Sequence, residues 1–290
     1  MRSIIISFVL IFSFGASLSA QEITSFKGGD RAVFLGNSIT DGGHYHSYIW
    51  LYYMTRFPDM RLTVLNAGVG GDQASDMVRR LDGDVFSKRP SVLIATFGMN
   101  DTGYFEYNGD QPEKFADEKV KASYDAFKQM EARFKSLVNT KIVLMGSTPY
   151  DETAVIEGDT AFKNKNKAML RVVDFQKESA KANNWQFFDL NQPMTALNQQ
   201  FQQKDPTFTL CGNDRIHPDN DGHMVMAYLI LKAQGFVGKE VADVNIDASK
   251  AALISSSNCE IKNIKKTSTG ISFDYLANAL PYPMDTISSL

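Results

Sequence analysis

A three-layer α/β/α fold around a five-stranded parallel sheet follows from three features of the sequence. Five short apolar runs are near-continuous rather than alternating, as expected of strands covered on both faces. Longer helical patterns separate them, and strand–helix alternation at this spacing builds parallel units with right-handed crossovers. The chain has 290 residues, 43% of them hydrophobic, enough to bury one full core with some surplus.

The first strand spans residues 31–35, where Ala32-Val33-Phe34-Leu35 runs into the Gly36 turn. Residues 45–57 read as a helix stopped by Pro58, which cannot continue the hydrogen-bond ladder. Residues 61–66 form the second strand, and Gly68-Val69-Gly70-Gly71-Asp72 leads from it into a helix over 73–81. The third strand covers 91–97. A long helix over 112–137 follows, with Phe115, Val120, Tyr124, Phe127, Met130 and Phe134 recurring at three-to-five-residue spacing. The fourth strand is 141–146, the next helix 162–183 and the fifth strand 185–190. Helices over 194–203 and 221–234 flank the His217 loop. These elements make one domain over residues 25–238.

Both ends depart from this pattern. Arg2 precedes an apolar run over 4–14 and small residues through Ala20, the layout of a secretory signal peptide over residues 1–20. The run is shorter than the roughly 20 apolar residues of a membrane span, so no stable membrane anchor is expected and the mature protein is exported, to a periplasm or outside the cell. In the 239–290 extension, Ile261 and Ile264, the Ser268-Thr269-Gly270 turn, and alternating Ile271, Phe273 and Tyr275 suggest one β-hairpin. This extension either packs on the catalytic domain or begins a module that is cut short. The two cysteines, Cys211 and Cys259, either form a disulfide or stay as free thiols.

Formal net charge is −3 with no Lys/Arg cluster, so nucleic acid is not an expected partner. The chemistry-bearing residues sit where strands end. Ligands of a parallel α/β sheet bind at strand carboxyl ends, near the reversal of strand order. Gly36-Asn37-Ser38 follows strand one, the 68–72 segment strand two, and Gly98-Met99-Asn100-Asp101 strand three. Asp214-Arg215-Ile216-His217-Pro218 comes after strand five. A serine needs an imidazole to take its proton, and the imidazole needs a carboxylate to fix its tautomer. Ser38, His217 and Asp214 supply those three groups. Singly, each segment has a bland reading: Ser38 a helix N-cap, Asn100 a turn residue, the 68–71 glycines a corner, His217 a surface residue. Four coincidences in order favour catalysis.

These blocks resemble the SGNH (GDSL-type) hydrolase family over about residues 31–235. The resemblance implies its flavodoxin-like fold, with Ser38 as nucleophile, His217 as base and then acid, and Asp214 as the imidazole's holder. It also implies an oxyanion hole of the Ser38 and Gly71 N–H groups and the Asn100 amide, with no metal or cofactor. The family usually has Asp where this chain has Asn37, so altered tuning rather than inactivity is expected. His44-x-His46 lacks a third metal ligand, and His44 is expected to line the cleft or decorate its loop. Tyr104 and Phe105 either stack on sugar rings or pack their own loop down. The expected activity is hydrolysis of small acyl esters, chiefly acetyl, on carbohydrates through an acyl-enzyme. A lipid-directed esterase (lysophospholipase or thioesterase) and a non-catalytic carbohydrate-binding protein are the alternatives.

Overall fold

Strand β1 (Arg31–Gly36) is the centre of the molecule: Ala32, Val33, Phe34 and Leu35 are all essentially inaccessible to water. The computed structural model describes residues 22–283, so the expected leader lies outside the described residues. Around β1 the sheet runs β2-β1-β3-β4-β5, with β2 at Thr63–Gly68, β3 at Val92–Ala95, β4 at Lys141–Gly146 and β5 at Gln186–Asp189. Every neighbouring pair is parallel. The chain steps from β1 outward to β2, then returns across β1 to β3. Strand order therefore reverses beside β1, and the crevice opens between the carboxyl ends of β1 and β3.

Alternating side chains of the strands feed two cores. Phe34, Ile94, Val143 and Met145 face helices α2 (His44–Arg56), α6 (Asn191–Gln202) and α7 (Asn220–Ala233). Val33, Leu35, Leu93 and Leu144 face α3 (Ala74–Arg80), α4 (Pro112–Phe134) and α5 (Lys165–Ala182). Truncating a fully buried side chain at either core, such as Phe127, would cost about 3–5 kcal/mol.

The expected elements occur, with shifted ends and four larger differences. A four-residue helix α1 (Ser38–Asp41) directly follows β1, and α3 runs on through a π-turn at Leu81–Val85. Helix α5 starts at Lys165 rather than at 162, because residues 147–164 form a loop over the sheet's carboxyl edge. The extension holds two antiparallel pairs, not one: β6 (Asp243–Asp247) with β7 (Ala252–Ser257), and β8 (Cys259–Lys266) with β9 (Ile271–Ala277). Its end returns to α2, where the Leu280 N–H donates to the Thr55 carbonyl at 2.8 Å. Cys211 and Cys259 are separate buried free thiols, which settles the disulfide question against pairing. The Cys211 Sγ lies 3.2 Å from the Pro149 carbonyl.

Candidate active site

Asn37, and not Ser38, caps α1: its Oδ1 accepts the Ile39 N–H at 3.1 Å. The cap leaves the Ser38 hydroxyl free, and its Oγ lies 2.7 Å from His217 Nε2. On the other side of the ring, His217 Nδ1 lies 2.5 Å from Asp214 Oδ2. The second carboxylate oxygen accepts the N–H groups of Ile216 and His217, both at 2.9 Å. Burial alone would raise the Asp214 pKa. The hydrogen bonds from the His217 ring and the two backbone N–H groups outweigh it and hold the carboxyl below its usual range. The carboxylate is thus ionised and faces Nδ1–H, leaving Nε2 to receive a proton from Ser38. The two side chains are 48% and 51% exposed, so the pair fixes orientation and adds little stability.

The loop carrying this pair is shaped by two residues. Gly212 has φ +68°, and a Cβ there would strike the His217 carbonyl at 2.2 Å. Arg215 is buried; its Nη1 donates to the carbonyls of Asp151 at 3.1 Å and Ala154 at 2.7 Å, and its Nε pairs with Asp159. These bonds pin the loop to residues 151–159.

The remaining site residues gather around a hollow of about 340 Å³ lined by Gly71, Asn100, Tyr104, Phe105, Glu106 and Lys119. Gly71 has φ +82°, a left-handed conformation that glycine adopts without strain. Asn100 Nδ2 donates one hydrogen to the Asp72 carbonyl at 3.0 Å, which ties it to the Gly71 loop and leaves its second hydrogen available. Tyr104 donates to Asn100 Oδ1 at 2.5 Å. The Tyr104 hydroxyl is therefore engaged in bracing Asn100, and its ring packs edge-on to Phe162. Phe105 instead is 81% exposed at the rim.

The rest of the neighbourhood is held from beneath. Asp101 is buried and accepts from the Ala74 N–H, Ser123 and the Gly98 N–H, joining the turn after β3 to α3 and α4. Arg80 reaches the carbonyls of Ala67 and Gly36 and the carboxylate of Asp72. All four histidines of the chain lie here. His44 is exposed, with its ring 5.0 Å from that of His223 and 6.3 Å from that of Tyr48. His46 is buried, with Nε2 3.2 Å from the Thr40 carbonyl. Burial, then the neighbouring histidines, push His223 down to about 4.

Sequence reasoning missed Arg80, Lys165, Arg215 and the bracing role of Tyr104. None of them is singled out by a local pattern: even as a cation near the start of a helix, Lys165 stands between Lys163 and Lys167.

The sequence model of the GDSL-like lipase/acylhydrolase family matches residues 34–225. An acetylxylan esterase of Geobacillus stearothermophilus is 28% identical over 231 residues, covering 72% of this chain and 95% of that protein. The crystal structure of such an esterase from that organism superposes with a TM-score of 0.57 at 24% identity, covering 72% of this chain and 96% of its own, and shares the fold. A solved structure of a gut microbial diltiazem-metabolizing enzyme superposes with a TM-score of 0.90 at 63% identity, over 92% of this chain. The chain spans only 61% of that enzyme's length.

Proposed function

Matched by its family's model over residues 34–225, the chain belongs to the GDSL-like lipase/acylhydrolase family and is a carboxylic ester hydrolase, and from this we propose an exported serine esterase that removes acetyl groups from carbohydrates. One observation carries the mechanism: Ser38 Oγ, His217 and Asp214 form a continuous hydrogen-bonded relay, at 2.7 and 2.5 Å. Ser38 Oγ attacks the ester carbonyl while His217 Nε2 takes its proton. The N–H groups of Ser38 and Gly71 and the free Asn100 N–H receive the oxyanion as it develops. Collapse expels the sugar alcohol, which leaves with the proton held by His217. Water then attacks the acyl-Ser38 with the same imidazole as base, releasing acetate and restoring the hydroxyl.

Substrate choice rests on the hollow beside Asn100. Its walls mix the exposed Phe105 ring with Gln73, Glu106 and Lys119, a lining that suits a ring with hydroxyls better than an alkyl chain. The 28% identity to an acetylxylan esterase supports the same class. A second reading is turnover of diltiazem, favoured by the 63% identity to a diltiazem-metabolizing enzyme; it uses the same relay. Export rests on the leader pattern of residues 1–20, and N-terminal sequencing of the mature protein would check cleavage after Ala20.

The test is acetate release from acetylated xylo-oligosaccharides beside loss of diltiazem, with Ser38→Ala as control. Acetate release abolished by Ser38→Ala is expected. Turnover of diltiazem alone would replace the glycan reading. In a p-nitrophenyl ester series, rates rising from acetate to octanoate would overturn it in favour of lipids. A fluorophosphonate that fails to label Ser38 would remove the esterase mechanism itself.

A further inference from the structure

We propose that Lys165 is a positioning residue for the oxyanion donor Asn100, acting through the ring and hydroxyl of Tyr104. The inference rests on the reading of Asn100 as such a donor. Lys165 opens α5 and is fully buried, with none of its surface exposed. Its placement breaks two local rules. A cation at a helix N-terminus opposes the helix dipole, and an ammonium taken out of water must be compensated in full. Burial pushes its pKa down, with the charge of Asp101 acting in the opposite sense, and the three acceptors around it favour the protonated form.

The compensation comes from a single turn. An ammonium has three N–H bonds, and three uncharged oxygens face it: the Met99 carbonyl at 2.7 Å, Thr102 Oγ1 at 2.9 Å and the Gly103 carbonyl at 2.6 Å. Met99, Thr102 and Gly103 belong to the turn that leads into Tyr104, so these bonds seat the ammonium beneath that ring. Its Nζ also lies 4.1 Å from the Tyr104 ring centroid, within cation–π range. The hydroxyl of that ring donates to Asn100 Oδ1, while Asn100 Nδ2 donates to the Asp72 carbonyl. With both polar atoms of the amide held, its plane cannot turn, and the remaining N–H keeps one direction. A lysine that merely filled the space beneath α5 would have no need of the ring of Tyr104.

Steady-state hydrolysis of p-nitrophenyl acetate by Tyr104→Phe, Lys165→Met and the double variant tests this, with Asn100→Ala as reference. Removing an oxyanion donor costs about 10²–10³ in kcat, so a misaimed one should cost about 10-fold to 100-fold, with KM held within about twofold. Because the two residues act in series, the double variant should lose no more than the worse single one. A kcat loss in Asn100→Ala without one in Tyr104→Phe and Lys165→Met overturns the positioning role alone. So do losses that multiply, or that fall on KM. Full kcat in Asn100→Ala overturns the oxyanion reading and this inference with it. If Lys165→Met shows no cooperative unfolding transition, Thr102→Val replaces it, removing one acceptor of the ammonium. A kcat drop of about threefold is then expected, absent in a Tyr104→Phe background; wild-type kcat would break the link.

Discussion

Replacing Arg80 by methionine should destabilise the protein by about 3–4 kcal/mol at pH 7.5, and by less at pH 5. The guanidinium and its partner Asp72 are 15% and 10% exposed, so both charges are largely out of water. Arg80 Nε donates to Asp72 Oδ2 at 2.5 Å, Nη1 to the Ala67 carbonyl at 2.9 Å, and Nη2 to the Gly36 carbonyl at 3.1 Å. Losing the Gly36 bond matters least, because that carbonyl keeps the Val69 N–H at 3.1 Å. The contact with Asp84, 45% exposed, adds next to nothing. What dominates is a stranded carboxylate, for which breaking a buried pair costs about 3–5 kcal/mol.

The pH dependence has a definite sign. Burial already raises the Asp72 pKa despite the hydrogen bond and charge of Arg80, and removing Arg80 raises it further. A carboxyl with a raised folded-state pKa is penalised as pH climbs through that pKa and relieved as pH falls back toward the ordinary carboxylate value. Urea unfolding followed by circular dichroism at the two pH values gives both numbers. The double variant Asp72→Asn/Arg80→Met, which removes the charge along with its partner, should recover about half of the loss. A loss below about 1 kcal/mol, equal losses at both pH values, or no recovery in the double variant would refute the reasoning.

Three further outcomes are expected. Asp214→Asn would present an N–H to His217 Nδ1 and impose the wrong tautomer, lowering kcat for p-nitrophenyl acetate by about 10³–10⁴ with the fold intact. Asn37→Asp retains a good helix cap but buries a charge at a position only 2% exposed. It should cost about 1–2 kcal/mol in urea unfolding while moving kcat by less than about tenfold. Phe105→Ala, at an 81% exposed rim position, should leave stability within about 0.5 kcal/mol and p-nitrophenyl acetate hydrolysis unchanged. It should raise KM for acetylated xylo-oligosaccharides by about 2- to 10-fold.

The sheet was legible because strands buried on both faces need apolar residues at every position, and Ala32 to Leu35 supply them. The meeting of Ser38, His217 and Asp214 was legible as well, since topology alone sends strand ends to one edge. The β6–β7 pair was not: Ala252–Ser257 is exposed along its length and half serine, so it carries no alternation. Tyr104 was read either as a sugar platform or as loop packing, because its sequence neighbours give no hint that its hydroxyl meets Asn100. Arg80 reads in sequence as one more charge on a helix, four residues before Asp84. Its bonds to Gly36 and Ala67 cross 44 and 13 positions of chain, and no local pattern encodes them.

Those unread residues share a physical task. Loops at the carboxyl edge of a parallel sheet turn their backbone carbonyls away from any ladder, and a buried carbonyl without a donor costs about 1–3 kcal/mol. Three buried basic side chains answer this, between them reaching the four segments that carry the site. Arg80 serves Gly36 and Ala67, Lys165 serves Met99 and Gly103, and Arg215 serves Asp151 and Ala154. A side chain with several N–H donors can satisfy two carbonyls at once, as Arg80 does across β1 and β2, which a serine or threonine hydroxyl with its single donor cannot. It also ties its own element to the segment it serves, α5 to the Asn100 turn and the His217 loop to residues 151–154. The Ser38 loop, the Gly71 loop, the Asn100 turn and the His217 loop are thereby set from beneath, leaving the face above them open to substrate. Fixing donors before charge develops is the condition under which an oxyanion hole lowers a barrier instead of rearranging around it. Through these bonds the three side chains hold the loops of the site in place before charge develops, and each bears the desolvation cost of a buried cation.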